Sequence, residues 1–230
     1  EYTVNLRNVA PNPFSIRSSL PPASFGISGS VRGPAQPSPN AALFAINTRE
    51  SASLGDPFFD YVYVFNATLD ITFRLRGYRD PVWLGNDRLV VVGEDADEGL
   101  FTVTVGGSPA VARIGSAGLG VPGSAPRRPS ISPDGRSIVY MHGDSVWRIG
   151  VDGSGLTRLS SASATATWPT WSPDGSQIAL VQGGVCGGFN SPDIVIISAT
   201  SANQSLASAT RVTRKNGAPV RSCGPVYWLG

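Results

Sequence analysis

Three features of the 230-residue sequence predict an all-β fold. Glycine and proline are abundant, at 27 and 19 copies, while only 15% of residues are charged and 41% are hydrophobic. Such a chain carries enough apolar surface for a core and is unlike a disordered one. No window of a dozen residues keeps helical spacing without a glycine, a proline or a β-branched run. Apolar segments are short, alternate or run continuously, and end at turn residues. Helical bundles are thereby excluded. The longest apolar runs, 89–92 and 194–197, fall far below the ~20 residues of a membrane-spanning helix, so no membrane insertion is expected. A net charge of +2 does not imply a nucleic-acid partner.

Related segments order the strands. Pro129-Ser-Ile-Ser-Pro-Asp-Gly-Arg-Ser-Ile-Val-Tyr140 matches Pro169-Thr-Trp-Ser-Pro-Asp-Gly-Ser-Gln-Ile-Ala-Leu180. Pro34-Ala-Gln-Pro-Ser-Pro-Asn-Ala-Ala-Leu-Phe-Ala45 is a weaker copy, and Pro81-Val-Trp-Leu-Gly-Asn-Asp-Arg-Leu-Val-Val91 has lost a turn residue. Gly224-Pro-Val-Tyr-Trp-Leu-Gly230 begins a fifth copy. Anchored on Pro34, Pro81, Pro129, Pro169 and Pro225, the spacings are 47, 48, 40 and 56 residues. A period of about 40–50 residues of β-type segments predicts a β-propeller with one four-stranded sheet per blade.

Each element then has a reason. In Ser-Pro-Asp-Gly, proline presets φ, aspartate bonds locally, and glycine takes the left-handed position that starts the next strand. Residues 145–151, 99–105 and 193–198 supply the following strand in their repeats. Before Pro34, three stretches alternate: Tyr2, Val4 and Leu6; Phe14 and Ile16; Phe25, Ile27 and Val31. Together with the C-terminal strand they are expected to form a fifth blade, shared between the two ends of a single propeller domain spanning 1–230. Such sharing removes exposed sheet edges. The alternative is that 1–33 is an extended arm, able to donate a strand to a neighbouring subunit.

Ser-Pro-Asp-Gly, preceded in one copy by Trp171, and Val151-Asp-Gly-Ser-Gly-Leu-Thr-Arg-Leu159 together resemble the TolB-type WD-like β-propeller repeat. Residues 129–180 carry the likeness clearly. The resemblance implies an extracytoplasmic address: periplasmic, secreted or cell-surface. It also implies a binding platform, or the non-catalytic propeller attached to a prolyl-peptidase-like hydrolase.

Short turns are expected at one end of the blades and longer segments (47–60, 93–98, 142–144, 182–192) at the other, with the blade-to-blade connections. Function concentrates on long loops held by a rigid scaffold. Phe58, Phe59, Tyr78, Arg79, Arg127 and Arg128 are therefore the candidate binding residues, the phenylalanines as an apolar anchor and Arg127–Arg128 as an anion clamp. Cys186 and Cys223 fall at this same end in adjacent blades, and their placement predicts a disulfide in an oxidising compartment.

Catalysis is not expected. His142 is the sole histidine, and no Gly-x-Ser-x-Gly elbow is present. Asp80 is the one acid just before an inner strand, and glycosidic chemistry needs a pair. No phosphate loop, dinucleotide fingerprint or zinc spacing occurs, so no cofactor or metal is expected. The acidic run 94–98 fails the calcium-loop pattern and reads as a solvated loop. The expected partner is another protein, such as one of the cell envelope, or copies of the chain itself. Opposed charges, 94–98 against Arg211, Arg214, Lys215 and Arg221, suit a structural subunit of a surface assembly or filament. A third reading is a lectin-like or hydrolase-associated propeller.

Overall fold

The computed structural model describes residues 29–32, 35–51, 56–94, 98–106, 110–115, 124–161, 166–183, 193–212, 214–215, 218–219, 226 and 228. The chain divides into two compact units, Glu1–Asp97 with Phe101–Ala112, and Glu98–Leu100 with Arg113–Gly230.

The first unit begins with β1 (Ser30–Val31) and β2 (Gln36–Pro37), which both pair with β3 (Leu43–Glu50). They act as two halves of one inner strand. β4 (Phe59–Asn66) and β5 (Ile71–Arg76) complete the first antiparallel sheet. The second sheet runs β6 (Tyr78–Trp83), β7 (Arg88–Gly93), β8 (Gly99–Thr104), β9 (Val111–Ile114). In the second unit, β10 (Arg127–Ile131), β11 (Ser137–His142), β12 (Ser145–Gly150) and β13 (Thr157–Arg158) form the third sheet. β14 (Ala166–Trp171), β15 (Gln177–Gln182), β16 (Asp193–Ser198) and β17 (Thr210–Arg211) form the fourth. A two-residue ladder, β18 (Arg214–Lys215) with β19 (Ala218–Pro219), follows.

The expected strand order within each blade is therefore observed in four sheets. Val31 corrects one expectation. It pairs with Thr48 inside the first sheet rather than joining a shared last blade. Gly29 makes that approach feasible: at φ 140°, any Cβ there would lie 2.4 Å from the Arg49 carbonyl oxygen. The strands expected from residues 1–28, and the disulfide between Cys186 and Cys223, lie outside the described residues.

Alternating side chains of facing sheets make each core. In the first unit, Ala45, Val62 and Val64 meet Leu89, Val91, Phe101 and Val103. In the second, Val139, Met141 and Val146 meet Trp171, Ile178, Leu180, Val195 and Ile197. Each such aliphatic side chain contributes about 1.5–3 kcal/mol by leaving water.

Indole hydrogen bonds add direction to this packing. Trp83 Nε1 donates to Gln36 O at 2.7 Å, and Trp171 Nε1 donates to Ser130 O at 3.1 Å. Trp228 Nε1 donates to Thr170 O at 3.3 Å. In each case the acceptor belongs to the inner strand of the preceding repeat. The bonds reset the repeat register. Ser38, Ser132 and Ser172 are equivalent, because each bonds across the turn to the residue five positions on. The first copy is thus anchored one residue later than its proline suggested. Trp228, not Pro225, marks the fifth.

Candidate functional site

The inner strands are not regular. Between Arg79 and Val82, Arg127 and Ser130, and Thr167 and Thr170, the pairing register slips, so two residues face one. The first residue of each extra pair is left-handed: Asp80 at φ 51°, Arg128 at 52° and Trp168 at 57°. Each is followed by a proline, Pro81, Pro129 or Pro169. This is a β-bulge, in which the missing proline N–H costs nothing because the ladder is interrupted there. The repeat prolines therefore mark bulges inside the inner strands. A left-handed non-glycine residue costs about 1–3 kcal/mol and occurs where a side chain has been re-aimed.

In the first unit the bulge organises a charged cluster. Arg79 Nη1 donates to Asp80 Oδ2 at 2.9 Å, and Arg79 Nε lies 3.7 Å from Glu94 Oε1. The Asp60 amide donates to Glu94 Oε2 at 3.3 Å, which sets the two acids side by side. Burial and the adjoining Asp60 carboxyl push the Glu94 carboxyl up to about 7.

Beside it lies an aromatic and guanidinium ladder on the first sheet. The Arg76 guanidinium lies 3.8 Å over the Phe59 ring, and that of Arg74 4.3 Å over Tyr61. Tyr63 Oη donates to the buried Glu50 at 3.2 Å. Burial and that carboxylate push the Tyr63 phenol up to about 12.

In the second unit, the bulge residues of neighbouring sheets meet. The Arg128 guanidinium lies 3.5 Å over the Trp168 ring, a cation–π stack. Arg127 Nη2 donates to Gly143 O at 2.8 Å, tying β10 to the β11–β12 turn. Trp168 is accordingly a bulge residue, and the aromatic core position before the turn belongs to Trp171. His142 is buried, and its Nε2 contacts Ser124 O. Tyr140, behind it on the same strand face, has its phenol raised by burial.

The structure places the six candidate binding residues differently from one another. Phe58 is exposed, at 62%, with Arg49 5.9 Å above its ring. Phe59 is a strand residue under Arg76. Tyr78 packs edge-on against Phe101 at 5.3 Å and belongs to the first core. Arg79, Arg127 and Arg128 are strand residues engaged as described. Tyr78 and Arg79, expected on a loop, are strand residues, because the single residue Gly77 separates β5 from β6. Asp60 and Glu94 escaped the sequence reading as a pair. They stand 34 residues apart, and only the meeting of two sheets joins them.

No family model matches the chain, and no curated protein matches it. Solved structures do. TolB from Acinetobacter baumannii aligns with a TM-score of 0.55 at 14% identity, covering 76% of this chain and 42% of that one. The fold is a TolB-like β-propeller. Prolyl endopeptidases align with a TM-score of 0.55 at 19% identity, over 85% of this chain and 29% of theirs. An oligogalacturonate lyase in complex with manganese aligns with a TM-score of 0.54 at 10% identity, over 87% of this chain and 56% of that one. The chain spans well under two thirds of the length of each, and at these identities the likeness concerns the fold.

Proposed function

We propose that this propeller is a non-catalytic interaction platform of an extracytoplasmic compartment, docking another protein through the long-segment end of its blades. One observation carries the reading: the two ends of the sheets differ in what they leave available. At the short-turn end, serine and aspartate side chains are spent on closing their own turns. At the other end, Phe58 stands exposed under Arg49 and the next residue, Phe59, lies under Arg76, a mixture of aromatic and guanidinium groups that suits protein recognition. The TolB-type repeat and the TolB fold support the platform reading. The extracytoplasmic address rests on that resemblance and on the expected Cys186–Cys223 pair.

The test is crosslinking capture with the full chain from a cell-envelope extract, compared across variants. Phe58→Ser is expected to lose a specific partner that Arg136→Ala, at the short-turn end, retains. Equal capture by both variants overturns the docking end. A second reading, small-ligand or hydrolytic work, is favoured by the lyase and peptidase among the solved neighbours. Turnover of pectic oligosaccharides or prolyl peptides by the purified chain would establish it in place of the platform.

A further inference from the structure

We infer that Asp60 and Glu94 form a one-proton clasp, joining the first sheet to the second, that loosens as pH rises. Three hydrogen bonds close a ring around the single-residue connection at Gly77. The Gly77 amide donates to Asp60 O at 2.8 Å, the Glu94 amide donates to Gly77 O at 3.0 Å, and the Asp60 amide donates to Glu94 Oε2 at 3.3 Å. Asp60 is 6% exposed, and its Oδ1 is sealed from solvent without a donor. An ionised carboxylate with a bare buried oxygen is strongly disfavoured.

The surrounding charges do not supply the missing compensation. Asp60 comes from β4, Arg79 and Asp80 from β6, and Glu94 follows β7. Arg49, the cross-strand neighbour of Asp60 on β3, reaches over the Phe58 ring. Arg79 is shared between Asp80 and Glu94. A proton held between Asp60 and Glu94 supplies the donor that Asp60 Oδ1 lacks. The raised Glu94 carboxyl agrees with this. The direction follows: a carboxyl raised in the folded state favours folding below its ordinary range of about 4.3, and that contribution is lost as pH rises through about 7. The clasp lies at the root of the acidic run 94–98, so pH would tune the same end of the blades that the platform reading uses. The clasp itself stands without that reading.

The experiment follows thermal midpoints of the full chain between pH 5 and 8. The unmodified protein should lose stability across this range. Glu94→Gln, which keeps the hydrogen bond and cannot ionise, should flatten the profile and raise the midpoint at pH 8 by roughly 2–6 °C. Parallel profiles for the two proteins overturn the clasp. Should Glu94→Gln not fold, the carboxyl carbon of Glu94, followed by NMR in the unmodified chain, decides instead. A titration midpoint near 7 upholds the clasp, and one below 5 overturns it. Neither readout depends on any partner, so failure of the docking proposal leaves it intact.

Discussion

The Ser38 turn of the first sheet and the Ser132 turn of the third are built from different residues and close in the same way. In both, the serine amide donates across the turn, to Leu43 O or Ser137 O, at 2.8 Å. In both, the serine hydroxyl donates to the third turn residue, Asn40 Oδ1 at 2.8 Å or Asp134 Oδ1 at 2.6 Å. That oxygen accepts a second bond from the amide two residues on, Ala42 or Arg136, and the serine oxygen accepts the amide of Leu43 or Ser137. The fourth residue is left-handed in each, Ala41 at φ 55° and Gly135 at 69°. The turn therefore depends on a serine, a planar oxygen acceptor and a left-handed fourth position. The charge of the acid and the identity of glycine are refinements: the first decides acid sensitivity, the second decides strain.

The comparison can be broken most severely by removing the wedge beside the turn. Trp171→Ala deletes a buried ring and its bond to Ser130, and should cost about 3–5 kcal/mol in chemical unfolding. Trp83→Ala, whose ring is only half buried, should cost less. If Trp83→Ala costs as much, the two indoles are not graded by burial.

Next in size, Ser132→Ala and Ser38→Ala each remove a buried hydroxyl that both donates and accepts. Each should lose about 1–3 kcal/mol, and by similar amounts if the two turns are mechanically equivalent. A marked inequality in denaturant midpoints would show that the charged acceptor strengthens the turn as a whole.

A mirror pair isolates the fourth position. Ala41→Gly should stabilise by about 1 kcal/mol, and Gly135→Ala should destabilise by about the same, since nothing lies within 4 Å of a Cβ built on Gly135. Stabilisation by both, or by neither, would mean that local backbone conformation is not what separates them.

The smallest effect is electrostatic. Hydrogen bonds from Ser172, and from the hydroxyl and amide of Ser176, hold the Asp174 carboxyl down to about 2, and those from Ser132 and Arg136 lower that of Asp134. A depressed folded-state carboxyl contributes stability above the ordinary carboxylate range near 3.9, and that contribution is lost as pH falls toward about 2. Asp174→Asn should make this limb shallower in thermal melts from pH 5 to 2. The Asn40 turn is the natural control, because it has no proton to take up.

Much of this was legible in the residues, because turn chemistry and alternation are local. Ser-Pro-Asp-Gly at 132–135 and 172–175 states its own hydrogen bonds, and strands such as Ile138–Met141, apolar at every position, state that both faces are buried. The inner-strand bulges were less legible. Proline at 81, 129 and 169 marks them, yet proline also suits a strand entry, and only the pairing register separates the two. The site was least legible. Tyr78 reads as a loop residue until its packing on Phe101 is seen, and the meeting of Asp60 with Glu94 has no signal in either stretch.

By itself the sequence determined the all-β class, the repeat period, the four-stranded plan and the turns, because each depends on residues within a few positions of one another. The tertiary structure decided the rest: which repeat carbonyl takes each indole, that Val31 belongs to the first sheet, that Arg128 lies over Trp168, and that two carboxyls share one buried place. These depend on sheets meeting across long chain separations, where burial and desolvation set the outcome.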